Sequence, residues 1–255
     1  MQNNQSTYHY NEVLDDNLVL WKYMDVSKFL SIITRNALFF SRIDRFNDNH
    51  EGTFTKGSIE HYMKESRIKI NEEDINHFEN NSQYLYVNCW FASDVESETL
   101  WNRYGSKNGS LAIKSNIKLI KSQYPENFCA KGEDTVNNLL KFQRICKVKY
   151  IDYKTEHPDI TEFISPACFK KREYNLENEV RIIHWVRHLN NDRPIDETGL
   201  YLPANINELV DLIYISPHSP SYLEDAINDI LKKFNFNFKC EKSTLTKQPE
   251  YGLNK

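Results

Sequence analysis

Glycine is scarce, 7 of 255 residues against an ordinary usage of roughly 7%. The scarcity removes whole chemistries. No G-x-G-x-x-G, G-x-x-x-x-G-K-[ST] or G-x-S-x-G occurs, so a Rossmann cofactor loop, a P-loop and a serine-hydrolase elbow are all without their sequence support. Phosphates, if bound, fall to side chains. Cysteine is also sparse: Cys89, Cys129, Cys146, Cys168 and Cys240 are scattered, odd in number and form no C-x-x-C pair, which fits reduced core thiols. No apolar run reaches the roughly 18 residues of a membrane span, and the polar start MQNNQSTYHYNEV lacks a basic, apolar and small-residue succession. The expectation is a soluble, unexported, cytoplasmic protein with no membrane partner. Net charge is -4 without a long basic block, so duplex nucleic acid is not required as a partner.

What is present is aromatic and apolar. Aromatics make up 13% and hydrophobic residues 40%, enough for a substantial core. Period-two apolar stretches at 17–23, 37–41, 84–92, 110–114, 144–153, 179–186 and 209–216 read as strands, and FNFNFKC at 234–240 as an alternating edge strand. Between the first two strands Asp25 is a plausible N-cap, with Phe29, Ile32 and Ile33 on one helical face. Residues 57–83 read as one or two charged helices, insertion-like, covering a sheet face. A short helix is expected from Ser97 to Tyr104, ended by Gly105, with Asn108-Gly109 turning into the next strand. Leu223, Ile227 and Ile230 mark an amphipathic helix near the end. No linker or repeat interrupts this. The fold class expected is therefore α+β, one domain over 1–255, with a mixed and mostly antiparallel sheet flanked by helices.

Several constellations carry candidate chemistry. Asp44, Asp48 and Glu51 fall within SRIDRFNDNHEG, but Arg42 and Arg45 interleave them and no calcium-loop ladder is present. The reading is a turn pinned by Asx caps and ion pairs, with Arg42 or Arg45 also able to meet an anion; a metal-dependent nuclease using these acids and a lysine is kept as an alternative. His184 and His188 have a helical zinc spacing inside a β-rich segment, where the rings would lie roughly 13 Å apart, so no metal is expected. Trp101 and Tyr104, three apart on a short helix, point the same way: either both pack the core, or a ring stacks a planar ligand. In REYNLENEVRIIHW, Glu177, Glu179 and Arg181 stand at the mouth of an apolar strand. They are either a solvated strand end, in which Glu177 and Glu179 pair with Arg181 and nearby Lys170, Lys171 and Arg172 for about 0–1 kcal/mol per ion pair, or a site in which one glutamate stabilises an oxocarbenium-like centre and its neighbour orients the acceptor.

Taken in order, LWKY (20–23), LFFSRIDRFNDNHEG (38–52), CWFASDVESETLWNRYG (89–105), GSLAIKS (109–115), FKKREYNLENEVRII (169–183) and LIYISPHSPSYLEDAINDILKKF (212–234) resemble a bacterial family catalogued as domain of unknown function 2971. The set F-N-D-x-x-E-G, W-x-x-Y and E-x-E-x-R carries the likeness. More distantly the order resembles ADP-ribosyltransferases of the Arg-Ser-Glu type, with Phe91-Ala92-Ser93 before a helix and Glu177-Asn178-Glu179 opening a late strand. That resemblance implies an ADP-ribosyltransferase-like fold and an NAD-cleaving or ADP-ribosyl-transferring enzyme, with NAD as substrate and a protein or nucleic acid as candidate acceptor. Glu179 and Glu177 would be catalytic, Trp101 or Tyr104 would stack on nicotinamide, and Ser93 and Arg181 would line the cleft. The first strand offers Lys22 where that family has arginine, so Lys22, Arg42 or Arg45 would meet the pyrophosphate. A toxin, stress or phage-defence effector is the setting implied. The alternative is a non-catalytic ligand-sensing or protein-binding domain in which the charged row is structural.

Overall fold

A computed structural model describes residues 12–66, 76, 78–104, 109–126, 139–158, 162–188 and 195–247. Strand β1 (Val19–Asp25) runs into helix α1 (Val26–Arg35) through the expected cap: the Asp25 side chain accepts the Lys28 N–H, and Phe29, Ile32 and Ile33 are buried. Asn36 closes the helix in the left-handed region, φ 47°, which asparagine tolerates better than most residues. Then follow β2 (Ala37–Arg42), α2 (Lys56–Ser66), β3 (Leu85–Ala92), α3 (Glu98–Tyr104), β4 (Ser110–Asn116), α4 (Ile117–Gln123), β5 (Leu139–Lys147), β6 (Lys149–Ile151), β7 (Phe169–Lys171), β8 (Glu179–His188), β9 (Gly199–Pro203), α5 (Ile206–Leu209), β10 (Leu212–Ile215), α6 (Tyr222–Lys233) and β11 (Lys239–Lys242).

Nine strands form one mixed, mostly antiparallel sheet and β6 and β7 a second, parallel pair. The expected α+β class with flanking helices is the architecture found. Within the large sheet only β10 and β11 run parallel, joined by α6 as a parallel pair requires a crossover.

The sheet forks at β3. β8 pairs along one edge of β3 from Leu85 to Phe91. The other edge is shared: β1 takes Phe91 and Ala92, and β2 takes Tyr86 and Val87. β1 leads outward to β4, β10 and β11, and β2 to β9. In the notch between, side chains replace a strand: Asn88 Nδ2 donates to the Phe39 carbonyl (2.8 Å) and Lys22 Nζ to the Cys89 carbonyl (2.9 Å), which answers the backbone groups that a fork leaves over.

Side-chain alternation sorts β3 and β8 onto two cores. Tyr86, Trp90, Val180, Ile182 and Val186 join both leaves and α1 in the main core, whereas Leu85, Val87, Ile183 and Trp185 face a second cluster with Phe169 and Cys168. Glu179 and Arg181 sit on this second face.

Three expectations need correction. FNFNFKC is not a strand from 234: α6 ends there, Asn235 turns at φ 58°, and pairing begins only at Lys239. The stretch 144–153 is two strands, broken at Val148, whose N–H turns to the Glu179 carbonyl (2.8 Å). β7, β9, α4 and α5 were not anticipated. Of the charged cover at 57–83, α2 and a 3-10 turn at Asn81–Tyr84 are seen, while 67–75 and 77 lie outside the described residues, as do 1–11, Gly105, Asn108 and Cys129. Among the described residues no helix is long and apolar enough to cross a membrane.

Candidate functional site: a buried charge cluster at the head of β8

Arg181 is fully buried. An enclosed guanidinium must spend every donor on an acceptor, and four acceptor contacts meet it here. Nε and Nη2 grip Glu179 side-on at 2.9 and 3.1 Å, Nη1 donates to the Ala167 carbonyl at 2.9 Å, and Nη2 also donates to Glu51. Lys170, from β7, lies across the same acids: its Nζ is 2.6 Å from Glu177, 3.2 Å from Glu179 and 3.1 Å from Glu51. On the outer side Arg103 Nη1 contacts Glu177 Oε1 at 2.7 Å. That contact is an ion pair with no N–H directed along it, since Glu177 Oε1 is buried without a hydrogen bond.

The elements explain the convergence. Glu179 and Arg181 are two apart on β8 and share a face. Glu177 is not on the strand; it ends a 3-10 turn (Arg172–Glu177), and Asn178 at φ 35°, ψ 55° reverses the chain so that Glu177 and Glu179 both reach Lys170. Asn178 is itself pinned, its Nδ2 donating to the Ala92 carbonyl at 2.5 Å and its carbonyl accepting the Ala92 N–H. Glu51 arrives from the loop after β2. There Asp48 accepts the His50 N–H (3.1 Å) and pairs with Lys171 (2.9 Å), and Gly52 takes φ +75°.

A Cβ on Gly52 would lie 2.4 Å from Ile43 Cγ2 and in a backbone region that L side chains rarely adopt. Gly52→Ala is therefore expected to cost roughly 2 kcal/mol or more, read as a drop in urea midpoint. An unchanged midpoint would mean that the loop holding Glu51 is not set by this glycine.

The electrostatics follow from enclosure. Burial alone would raise the Glu179 carboxyl; Arg181 and Lys170 outweigh it and hold the group at about 2. Burial works against the charge on Lys170 and Arg181, yet Glu179 and Glu51 raise both above their ordinary values. Burial pushes the Cys89 thiol well up, with Glu179 adding to it, so Cys89 is no thiolate nucleophile. Burial lowers the Lys22 amine to about 8, with Glu179 opposing. Partial burial and the nearby Glu177 charge push Tyr104 up to about 12.

Of the residues singled out in the sequence, Glu179 pairs directly with Arg181 and is joined to Glu177 through Lys170, and the charges of Glu177 and Glu179 are felt at Tyr104 and that of Glu179 at Lys22. The others are elsewhere. Arg42 pairs with Asp44 (2.7 Å) and Glu197, and Arg45 with Glu197 (3.0 Å). Arg42 is paired with Tyr86 of β3 and Glu179 with Phe91, a separation of roughly 17 Å along the strand. Both arginines thus leave the expected shared cleft. Trp101 is buried, edge-on to Tyr23 at 4.8 Å and hydrogen-bonded to Glu96 (3.1 Å); it is a core residue, while Tyr104 beside it is 44% exposed. Ser93 turns its hydroxyl back to the Val95 carbonyl (2.8 Å). Asp44 pairs with Arg42, Asp48 with Lys171, and Glu51 with Lys170 and Arg181, and among the described residues no group of three potential ligands is gathered for a metal.

Sequence reasoning names Lys170 as one of several cations near Glu177 and Glu179, a pairing the structure shows, but it keeps Glu51 within its own loop and misses Arg103 as the outer partner. The Glu179 carboxylate is enclosed by its partners rather than open to a hollow. A nearby opening of about 220 Å³, its mouth included, is lined by Thr53, Phe54, Thr55, Tyr153 and Phe169 among others, and by neither Glu177 nor Glu179. Its Tyr153 hydroxyl is buried without a hydrogen bond and feels the charges of Arg181 and Glu51. Compared with known families and with curated proteins, the chain matches no family model and no curated protein.

Proposed function

We propose that the protein is an NAD-cleaving or ADP-ribosyl-transferring enzyme whose reactive face is the Tyr104 side of this cluster, behind which Glu177 and Glu179 lie buried. One observation carries the reading: Glu179, held ionised by Arg181 and Lys170, and Glu177 beside it lie close enough to Tyr104 for both charges to be felt at its half-exposed ring. In such chemistry the ribose C1′–N bond breaks and its electron pair leaves with neutral nicotinamide, while positive charge grows on C1′. A fixed carboxylate stabilises that charge in proportion to how little it must reorganise, and the bidentate grip of Arg181 on Glu179 is rigid. Water or a side-chain nucleophile then adds to C1′ and gives up a proton, with Glu177 orienting it. Tyr104 supplies the stacking surface.

The test is nicotinamide release from NAD, followed with water alone, with lysate protein and with RNA or DNA as acceptor. Wild type is expected to release nicotinamide, Glu179→Gln to slow it by about 10²-fold or more, and Tyr104→Ala to raise KM more than it lowers kcat. No release by wild type under any of these conditions ends the proposal.

A second reading, a ligand-sensing or protein-binding domain without turnover, draws on the full enclosure of Arg181 and the occupied oxygens of Glu179. It predicts a thermal shift by a nucleotide with no product formed.

A further inference from the structure

Glu177 is 7% exposed, and its two oxygens are treated differently. Oε2 receives the Lys170 ammonium at 2.6 Å. Oε1 is buried and takes no directed hydrogen bond, although Arg103 Nη1 lies 2.7 Å away. A buried carboxylate oxygen left short of a donor is costly, and natural interiors seldom leave one without a reason. The group that covers it reaches solvent: the Arg103 side chain is 47% exposed, at the end of α3, with its guanidinium carbon 5.5 Å from the centroid of the Tyr104 ring. Carboxylate on one side and aromatic ring on the other are what a flat, delocalised cation seeks.

We propose that Glu177 Oε1 and the Tyr104 ring form a recognition site for a planar delocalised cation, and that Arg103 occupies it from within the chain until such a ligand displaces it. The proposal deepens the NAD-cleaving reading, on which it rests for its natural ligand. Two sources share the chemistry: an N-substituted pyridinium of a dinucleotide, and the guanidinium of another molecule. Neutral rings of the same shape are excluded, because they give Glu177 nothing to pair with. Arg103 thereby acts as a gate: its own guanidinium sets the threshold that an incoming cation has to beat, which raises the concentration of ligand needed without removing the site.

The experiment is calorimetric titration of wild type, Arg103→Ala and the double variant Arg103→Ala/Tyr104→Ala with 1-methylnicotinamide, methylguanidine and neutral nicotinamide. Arg103→Ala should bind at least one of the two cations about ten-fold more tightly than wild type, the scale of one cation–π contact with a partly desolvated carboxylate. Nicotinamide should gain nothing, and the double variant should lose most of the gain. Whichever cation binds better identifies the source. The proposal is overturned if neither cation gains on removal of Arg103, if nicotinamide gains equally, or if Tyr104→Ala leaves the gain intact. Arg103 and Tyr104 are both half-exposed, so melting temperatures close to wild type are expected and serve as the folding control. Binding here needs no turnover, so a failure is distinct from absence of nicotinamide release.

Discussion

Arg181→Met is expected to lower the unfolding free energy by roughly 3–5 kcal/mol, the largest effect of any single substitution considered. The reason is what stays behind. Methionine fills much of the same volume, so the loss of packing is modest. Glu51 and Glu179, however, remain buried at the head of β8 with only Lys170 to share, and Glu177 also draws on that ammonium. The Ala167 carbonyl loses its donor as well. Enclosed carboxylates without a counter-charge either take up protons or pull the structure open to water. Urea unfolding at neutral pH reads the loss, and a change under about 1 kcal/mol would show that the cluster is looser than its geometry. A second construction separates charge from shape: Arg181→Met with Glu51→Leu and Glu179→Leu removes the acids too, leaving Lys170 with Glu177. That triple variant is expected to recover a large part of the loss, because an apolar replacement of a whole buried ion set is often neutral or better. The three changes touch one network and will not add. Should Arg181→Met fail to fold, Glu51→Gln measures the same network through one partner.

This network also shows where the sequence spoke and where it was silent. The alternation in EVRIIHWV was sufficient to place Glu179 and Arg181 on one face and Val180 and Ile182 on the other, because period two follows from strand geometry alone. The Asp25 cap and the Phe29, Ile32, Ile33 face were legible for the same kind of reason: the signal is local. Glu177 was grouped with Glu179 on the assumption that one strand carried both. It reaches the same ammonium by another route, the left-handed turn at Asn178. Glu51 and Arg181 are 130 residues apart, and no local pattern announces a pairing across that distance; the acid beside Gly52 was weighed only against its neighbours. FNFNFKC misled because alternation of Phe234, Phe236 and Phe238 served a different purpose. Their rings lie 6.5 and 5.1 Å apart in succession where the chain leaves α6, so the period came from ring contacts and not from a ladder. β9 was hidden by its own composition: GLYLP is short and bounded by glycine and proline, which read as loop, yet it pairs with β2 over all five residues.

Acid is expected to unfold the protein along a limb that Glu179 sets in part. Its folded pKa is about 2 against an ordinary 4.5. Between those values the unfolded chain holds a proton that the folded chain does not, so stability falls as pH falls through the window, and the contribution is complete above about pH 5. A shift of this size corresponds to roughly 3 kcal/mol at neutral pH. Asp25 and Asp48, also held below the usual carboxylate range once Ser27 and Lys171 outweigh their partial burial, extend the same limb. On the alkaline side the sign reverses. Burial raises Cys89, Cys146 and Cys240, so above about pH 8.5 the unfolded thiols ionise while the folded ones do not, and stability declines again. Chemical unfolding from pH 2 to 10 should thus give a maximum between about pH 7 and 8, because burial also lowers the His184 imidazole to about 4 and its unfolded ring takes up a proton below about pH 6.5. Glu179→Gln should be less stable at that maximum yet flatter between pH 4.5 and 2, since the variant has no proton to gain at this position. If wild type and variant fall in parallel through that window, Glu179 is not held ionised by Arg181 and Lys170, and the fixed negative charge that the proposed chemistry requires at C1′ is absent with it.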